Sequence, residues 1–155
     1  MKKIKVALFL SLSPLLFASG VTIKTNTFKE VVTKTKDGKK VVKWIKPTKA
    51  VPKDTIKIVD TISNDTNKTL TNVVVINPID KSLLFQKGSI KADTKTKVLF
   101  SVDKKSFKDA NRLFVVGKDG KKHLATAKDY KAVQFIIEKI APKSKQKIEF
   151  LTKIK

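Results

Sequence analysis

His123 is the only histidine in the 155 residues, and the chain has no cysteine. Catalysis by a nucleophile, a histidine and an acid needs that histidine held by its neighbours. His123 stands instead in Lys121-Lys-His-Leu124, beside a Gly-Lys-Asp-Gly turn, and reads as an exposed strand residue. Transition-metal sites want clustered histidine or cysteine, and neither cluster exists. Calcium wants several closely spaced carboxylates. Asn64-Asp65-Thr66-Asn67 offers one carboxylate and two amides, and reads as a turn. No glycine-rich phosphate cradle is present. The 13 acids are scattered among 35 bases and give no lead to a paired-carboxylate site. The residues point to no catalytic, cofactor-binding or metal site, and away from an enzyme.

Two residues keep a functional reading beside a structural one. Asp60 shares the parity of Ile56, Ile58 and Ile62 in an alternating strand. An inward carboxylate is costly unless paired or protonated. It is either a tuned acid, serving an exported hydrolase with a second carboxylate, or a residue turned outward by a bulge or paired with lysine at the edge. The structural reading is preferred. Trp44, the only tryptophan, is either a ligand platform or a core plug, and the core plug is preferred.

The N-terminus reads as a secretory signal peptide over residues 1–20. Met1 to Lys5 is basic, Val6 to Phe17 is apolar, and Ala18-Ser19-Gly20 supplies small residues for cleavage between Ala18 and Val21. The apolar run is too short for a span of ~20 residues. With no cysteine to follow it, a lipid-tethered form is excluded. The expectation is a periplasmic or secreted protein with no integral membrane segment after processing.

Net charge is +22. Losing Lys2, Lys3 and Lys5, with no acid among the first 20 residues, leaves +19. Such a surface suits an acidic polymer, lipopolysaccharide or nucleic acid. Arg112, however, is the only arginine, and specific phosphate recognition favours the arginine fork. The lysines are spread along the whole chain, which reads first as composition.

Residues 21–155 have length and apolar content for one domain. Val51 to Pro78 reads as two strands around the polar turn at Asn64–Asn67, with the other strands added to this pair. Val21 to Lys36 and Val41 to Ile45 form a hairpin around Asp37-Gly38. Asp-Gly there suits a type I′ turn, and Gly117-Lys-Asp-Gly120 makes a second hairpin. Val98 and Phe100, then Val133, Phe135 and Ile137, then Ile148, Phe150 and Ile154, mark further alternating strands. No window shows sustained helical periodicity. Turn signals recur every ~10 residues, the pattern of an all-β sandwich.

Pro52-Lys-Asp-Thr-Ile56, Asn64 and Leu70-Thr-Asn-Val-Val-Val-Ile-Asn-Pro-Ile79 resemble the bacterial conserved-repeat domain known as domain of unknown function 11. The resemblance continues through Lys87-Gly-Ser-Ile90, Val98-Leu-Phe-Ser-Val-Asp103 with Phe107, and Asp119-Gly-Lys121. It closes with Ala125-Thr126, Asp129-Tyr130, Ile140-Ala-Pro142 and Ile148-Glu-Phe150. It implies an immunoglobulin-like, Greek-key β-sandwich of exported or surface proteins, and no activity. Lys53, Lys104 and Lys143 stand where that family has glycine. Lysine disfavours positive φ, so type I turns are expected at these positions. Asp60 replaces an apolar residue of the family strand. The functional expectation is an exported, non-catalytic module that binds or supports an envelope protein or polymer, through an exposed edge strand. The alternative is an electrostatic binder of an acidic polymer.

Overall fold

A computed structural model describes residues 20–155. The expected signal peptide lies almost wholly outside the described residues. The described chain is all-β, with one 3-10 turn at Ala110–Arg112. Its strands are β1 (Val21–Lys34), β2 (Lys40–Ile45), β3 (Thr55–Asn64), β4 (Leu70–Pro78), β5 (Leu83–Phe85) and β6 (Lys91–Ala92). They continue as β7 (Thr96–Ser101), β8 (Phe114–Val116), β9 (Lys122–Leu124), β10 (Ala132–Ile140) and β11 (Ser144–Ile154). Every pairing is antiparallel.

One sheet runs β2-β1-β3-β11-β5, with β6 also on β11, and the second runs β4-β10-β7. Their apolar faces meet in one core. Ile56, Ile58 and Ile62 of β3 and Ile148, Phe150 and Ile154 of β11 come from the first sheet. Val75 of β4 and Val133, Phe135 and Ile137 of β10 come from the second. Phe85, Phe100 and Tyr130 add an aromatic cluster, with Phe100 and Tyr130 stacked at 4.4 Å. A third, two-stranded sheet, β8–β9, stands apart.

The expected β3–β4 pair does not form. β3 lies between β1 and β11, while β4 pairs with β10. The Asn64–Asn67 corner carries the chain from one sheet to the other. The reason is burial: facing each other across the core, β3 hides Ile56, Ile58 and Ile62 and β4 hides Val73 and Val75, although Val74 and Ile76 stay exposed on the outer face of β4. The β10–β11 connection makes the same crossing, so two arches stack, β3 on β11 and β4 on β10. This departs from the constant-type immunoglobulin order, whose last two strands share a sheet.

Alternation breaks once in the second sheet. Leu70 and Val73 both pack against the core, as do Ile137 and Ile140 on the partner strand. Asn72 supplies the kink at φ 52°, a conformation asparagine tolerates better than most residues.

The Asp37-Gly38 turn differs from the type I′ expectation, and the Asp119-Gly120 turn has the same form. Only Gly38 and Gly120 have positive φ, and the Gly38 and Gly120 N–H groups donate to Thr35 and Gly117 carbonyls. A type I turn followed by a left-handed glycine closes each hairpin. The lysine positions also differ from expectation. Lys53, Lys104 and Lys143 hold φ of 75°, 66° and 53°. In the Val51–Asp54 turn, closed by the Asp54 N–H on the Val51 carbonyl, Pro52 and Lys53 take the central positions of a type II turn. Asp54 secures it, accepting from the Val51 N–H at 2.8 Å and the Lys29 ammonium at 2.7 Å.

Candidate functional site

Asp60 points inward. Neither a bulge nor a lysine relieves it, contrary to expectation: it pairs in register with Thr25 on β1 and Ile148 on β11, and has no exposed surface. Thr25 Oγ1 donates to Oδ1 at 2.6 Å, and Asn77 Nδ2 donates to Oδ2 at 2.5 Å. Burial pushes the carboxyl pKa up, and these two bonds only partly oppose it. A carboxyl with both oxygens occupied inside a packed core has no face for a substrate. Its role here is to join the two sheets.

Asn64 is the second buried polar hub. Its Nδ2 group donates to the carbonyls of Lys68, Ile140 and Ala141 at 2.8, 3.1 and 2.9 Å. Its Oδ1 accepts from the Thr66 N–H and hydroxyl. The side chain therefore ties the β3–β4 corner to the β10–β11 corner. With its oxygen taken by Thr66, the Asn64–Asn67 segment is a structural turn, as its composition implies. Among the described residues, no group of three or more His, Cys, Asp or Glu could hold a metal ion.

His123 is exposed on β9, as expected, but has a partner that sequence reading missed. Its Nε2 lies 2.9 and 3.0 Å from the two Asp119 oxygens across the hairpin turn. A Cβ on Gly117 would come within 2.7 Å of Asp119 and 2.8 Å of His123, so glycine is required for this approach. The Gly-x-Asp-Gly-x-x-His spacing was the available signal.

Trp44 is not a core plug. It sits half-buried on edge strand β2, on the outer face of its sheet, and is absent from the core. The Lys57 ammonium lies 4.3 Å from its ring centroid and 5.9 Å from that of Phe28. Glu149 approaches the same ammonium at 3.9 Å. Lysine stems cover apolar surface while their heads stay wet, and here the Lys57 head caps the indole.

The strand that carries Trp44 is the most open apolar element of the first sheet. The half of β1 from Lys29 to Lys34 pairs with β2, whereas β3 pairs with Val21–Lys29. The two strands thus run past the body as a ribbon. Val32 and Val42 face each other on one side, and Val41 and Ile45 lie on the other, all exposed. β2 ends the sheet, leaving one edge of its backbone unpaired. Lys39, Lys40, Lys43 and Lys46 flank it. Among the described residues, lysine ion pairs involve Lys29, Lys57, Lys91 and Lys95. Lys39, Lys40, Lys43 and Lys46 have no such partner.

The fold and these surfaces define an all-β protein of two antiparallel sheets packed face to face, with exposed apolar strands set among lysines. No protein-family model, no curated protein and no solved structure matches the chain. Among the described residues, no helix is long and apolar enough to cross a membrane.

Proposed function

We propose that the chain is an exported, non-catalytic binding module of the cell envelope, a divergent immunoglobulin-like sandwich of the conserved-repeat kind, acting in the periplasm or outside the cell. It engages an extended, acidic segment of a partner protein along β2. The observation that carries this reading is the free edge of β2, with Val41, Val42 and Ile45 exposed. An unpaired edge offers a row of N–H and C=O groups, and alternate side chains supply specificity. Lysines on and beside the strand select an acidic partner. They also disfavour antiparallel pairing with a second copy, which would set lysine against lysine. The sheet-switching corners at Asn64 and Ala141 support a Greek-key type of connection.

The test is a pull-down from detergent-solubilised envelope at ~50 and ~500 mM salt, which differ strongly in screening. One defined protein recovered at both salts, and lost with Val42→Lys and Ile45→Lys, is the expected result. Recovery unaffected by either substitution would rule out the edge.

A second reading is favoured by the lysines outside ion pairs. It is electrostatic binding of an acidic polymer such as lipopolysaccharide or nucleic acid. A mixed, polymer-rich catch that disappears at high salt would select it, because counterion release makes such binding steeply salt-dependent.

A further inference from the structure

Arg112, the chain's single arginine, lies beside the β8–β9 hairpin, far in topology from the β2 edge. It lines an open groove of about 440 Å³ with Lys97, Lys108, Leu99, Phe107 and Phe114. Asp109 is the one acid on the groove's rim. Among the described residues, none of the three cations has an ion-pair partner.

The hairpin beside the groove is unusual. Phe114 pairs with Leu124, and Val116 with Lys122, so Phe114, Val116 and Leu124 share one face, with Lys122 at its turn end. They are 53%, 69% and 50% exposed. The strands pack chiefly on each other. Their base is held by the Ala125 N–H on the Leu113 carbonyl, with Leu113 and Ala125 both buried. A lone two-stranded hairpin is marginal in water, and an apolar face left on one marks an interaction site. Lys118, Lys121 and Lys122 surround its turn.

We propose that this hairpin docks on an anionic phospholipid surface. Phe114, Val116 and Leu124 enter the acyl boundary, and Arg112, Lys97 and Lys108 take the headgroup phosphates. Two features choose the occupant. The apolar side chains are half or more exposed on a hairpin that packs chiefly on itself, so they suit a fluid surface that closes around them. The cations line the groove that adjoins the hairpin, with Phe114 common to both, so phosphates and acyl chains would be met side by side. A second copy would bring like charges together. Arginine's planar fork matches phosphate, which gives the sole arginine a use that composition does not explain.

The absence of cysteine makes a direct test available. The full chain carrying Val116→Cys is labelled with an environment-sensitive fluorophore, and a Lys36→Cys label in the ribbon turn serves as reference. Each is mixed with equimolar phosphatidylglycerol–phosphatidylcholine vesicles or with phosphatidylcholine vesicles. The expected result is a blue shift at position 116 on the anionic vesicles alone, with position 36 unchanged. Arg112→Gln, Lys97→Gln and Lys108→Gln should each weaken the vesicle titration about fivefold. This local readout is independent of whatever residues 1–20 do. No shift at position 116 overturns the proposal, as does an equal shift at both positions, which would mean charge attraction without insertion. A shift produced by polyglutamate and not by vesicles also overturns it, and identifies an acidic chain as the occupant.

Discussion

Asp60 and Asn77 meet at the centre of the sandwich, each from a different sheet, with Nδ2 of the asparagine on Oδ2 of the aspartate. The contact converts a buried carboxylate, otherwise a defect, into a bond between layers. Its counterpart at the end of β3 is Asn64, whose amide joins the two corners. Together they set the register of two apolar faces that dispersion alone would let slide.

Asp60 sets a pH dependence of known sign. Burial raises its folded pKa above the ordinary 3.8. Its contribution to stability is then fully present below that value and lost as pH rises through the folded pKa. Asp60→Asn keeps both bonds, accepting from Asn77 and donating to the Thr25 hydroxyl, but cannot ionise. Urea unfolding from pH 4 to pH 8 should show the variant gaining on the wild type as pH rises. A constant difference across that range would mean that Asp60 does not titrate differently in the two states.

Asn77→Ala strips one oxygen of Asp60 of its donor. The expected loss is about 3 kcal/mol at neutral pH. In the Asp60→Asn background the same substitution should cost about 1 kcal/mol, because the orphaned group is then neutral. A double-mutant cycle by chemical denaturation measures the coupling, and additive losses would deny it.

Asn64→Ala leaves three carbonyls and the Thr66 turn without their partner. It should destabilise the protein by about 3 kcal/mol. Asn64→Asp should fare no better, since a carboxylate would face the Lys68, Ile140 and Ala141 carbonyls. Thermal melts of both variants test the claim.

Lys53 and Lys104 occupy left-handed backbone that glycine adopts freely. The relief of strain exceeds glycine's greater entropy loss by a small margin. Lys53→Gly and Lys104→Gly should each raise stability by about 0.5 kcal/mol, measured as a higher urea midpoint. A fall in either midpoint would show that the lysine side chain contributes more than its backbone costs.

Trp44 packs on a surface and not in the core. Trp44→Ala should therefore cost about 1 kcal/mol, against about 4 kcal/mol for Phe135→Ala at the centre. Equal losses in denaturant titrations would return Trp44 to the core.

Strand identity was legible where one face is apolar and the other wet. Val133, Phe135 and Ile137 alternate in the chain and alternate in burial, as do Ile148 and Phe150. The turns were legible in place but not in type. Asp-Gly marks a hairpin, yet whether one or two residues turn left-handed depends on the strands it must join. Trp44 misled because its size suggests burial, while the outer face of an edge strand that pairs only with β1 has no core to offer.

The chain alone therefore determined an all-β protein, its strand segments and its lack of a histidine or cysteine cluster, because period-2 burial and residue chemistry are local properties. Which strands share a sheet was decided only by the tertiary structure. β3 and β4 are neighbours in sequence and opposites in space, since burying both apolar faces outweighs closing a hairpin between them. The partners of Asp60 followed from that choice. Thr25 and Asn77 reach it from a neighbouring strand and from the facing sheet, and nothing in the spacing of residues 25, 60 and 77 announces that they meet.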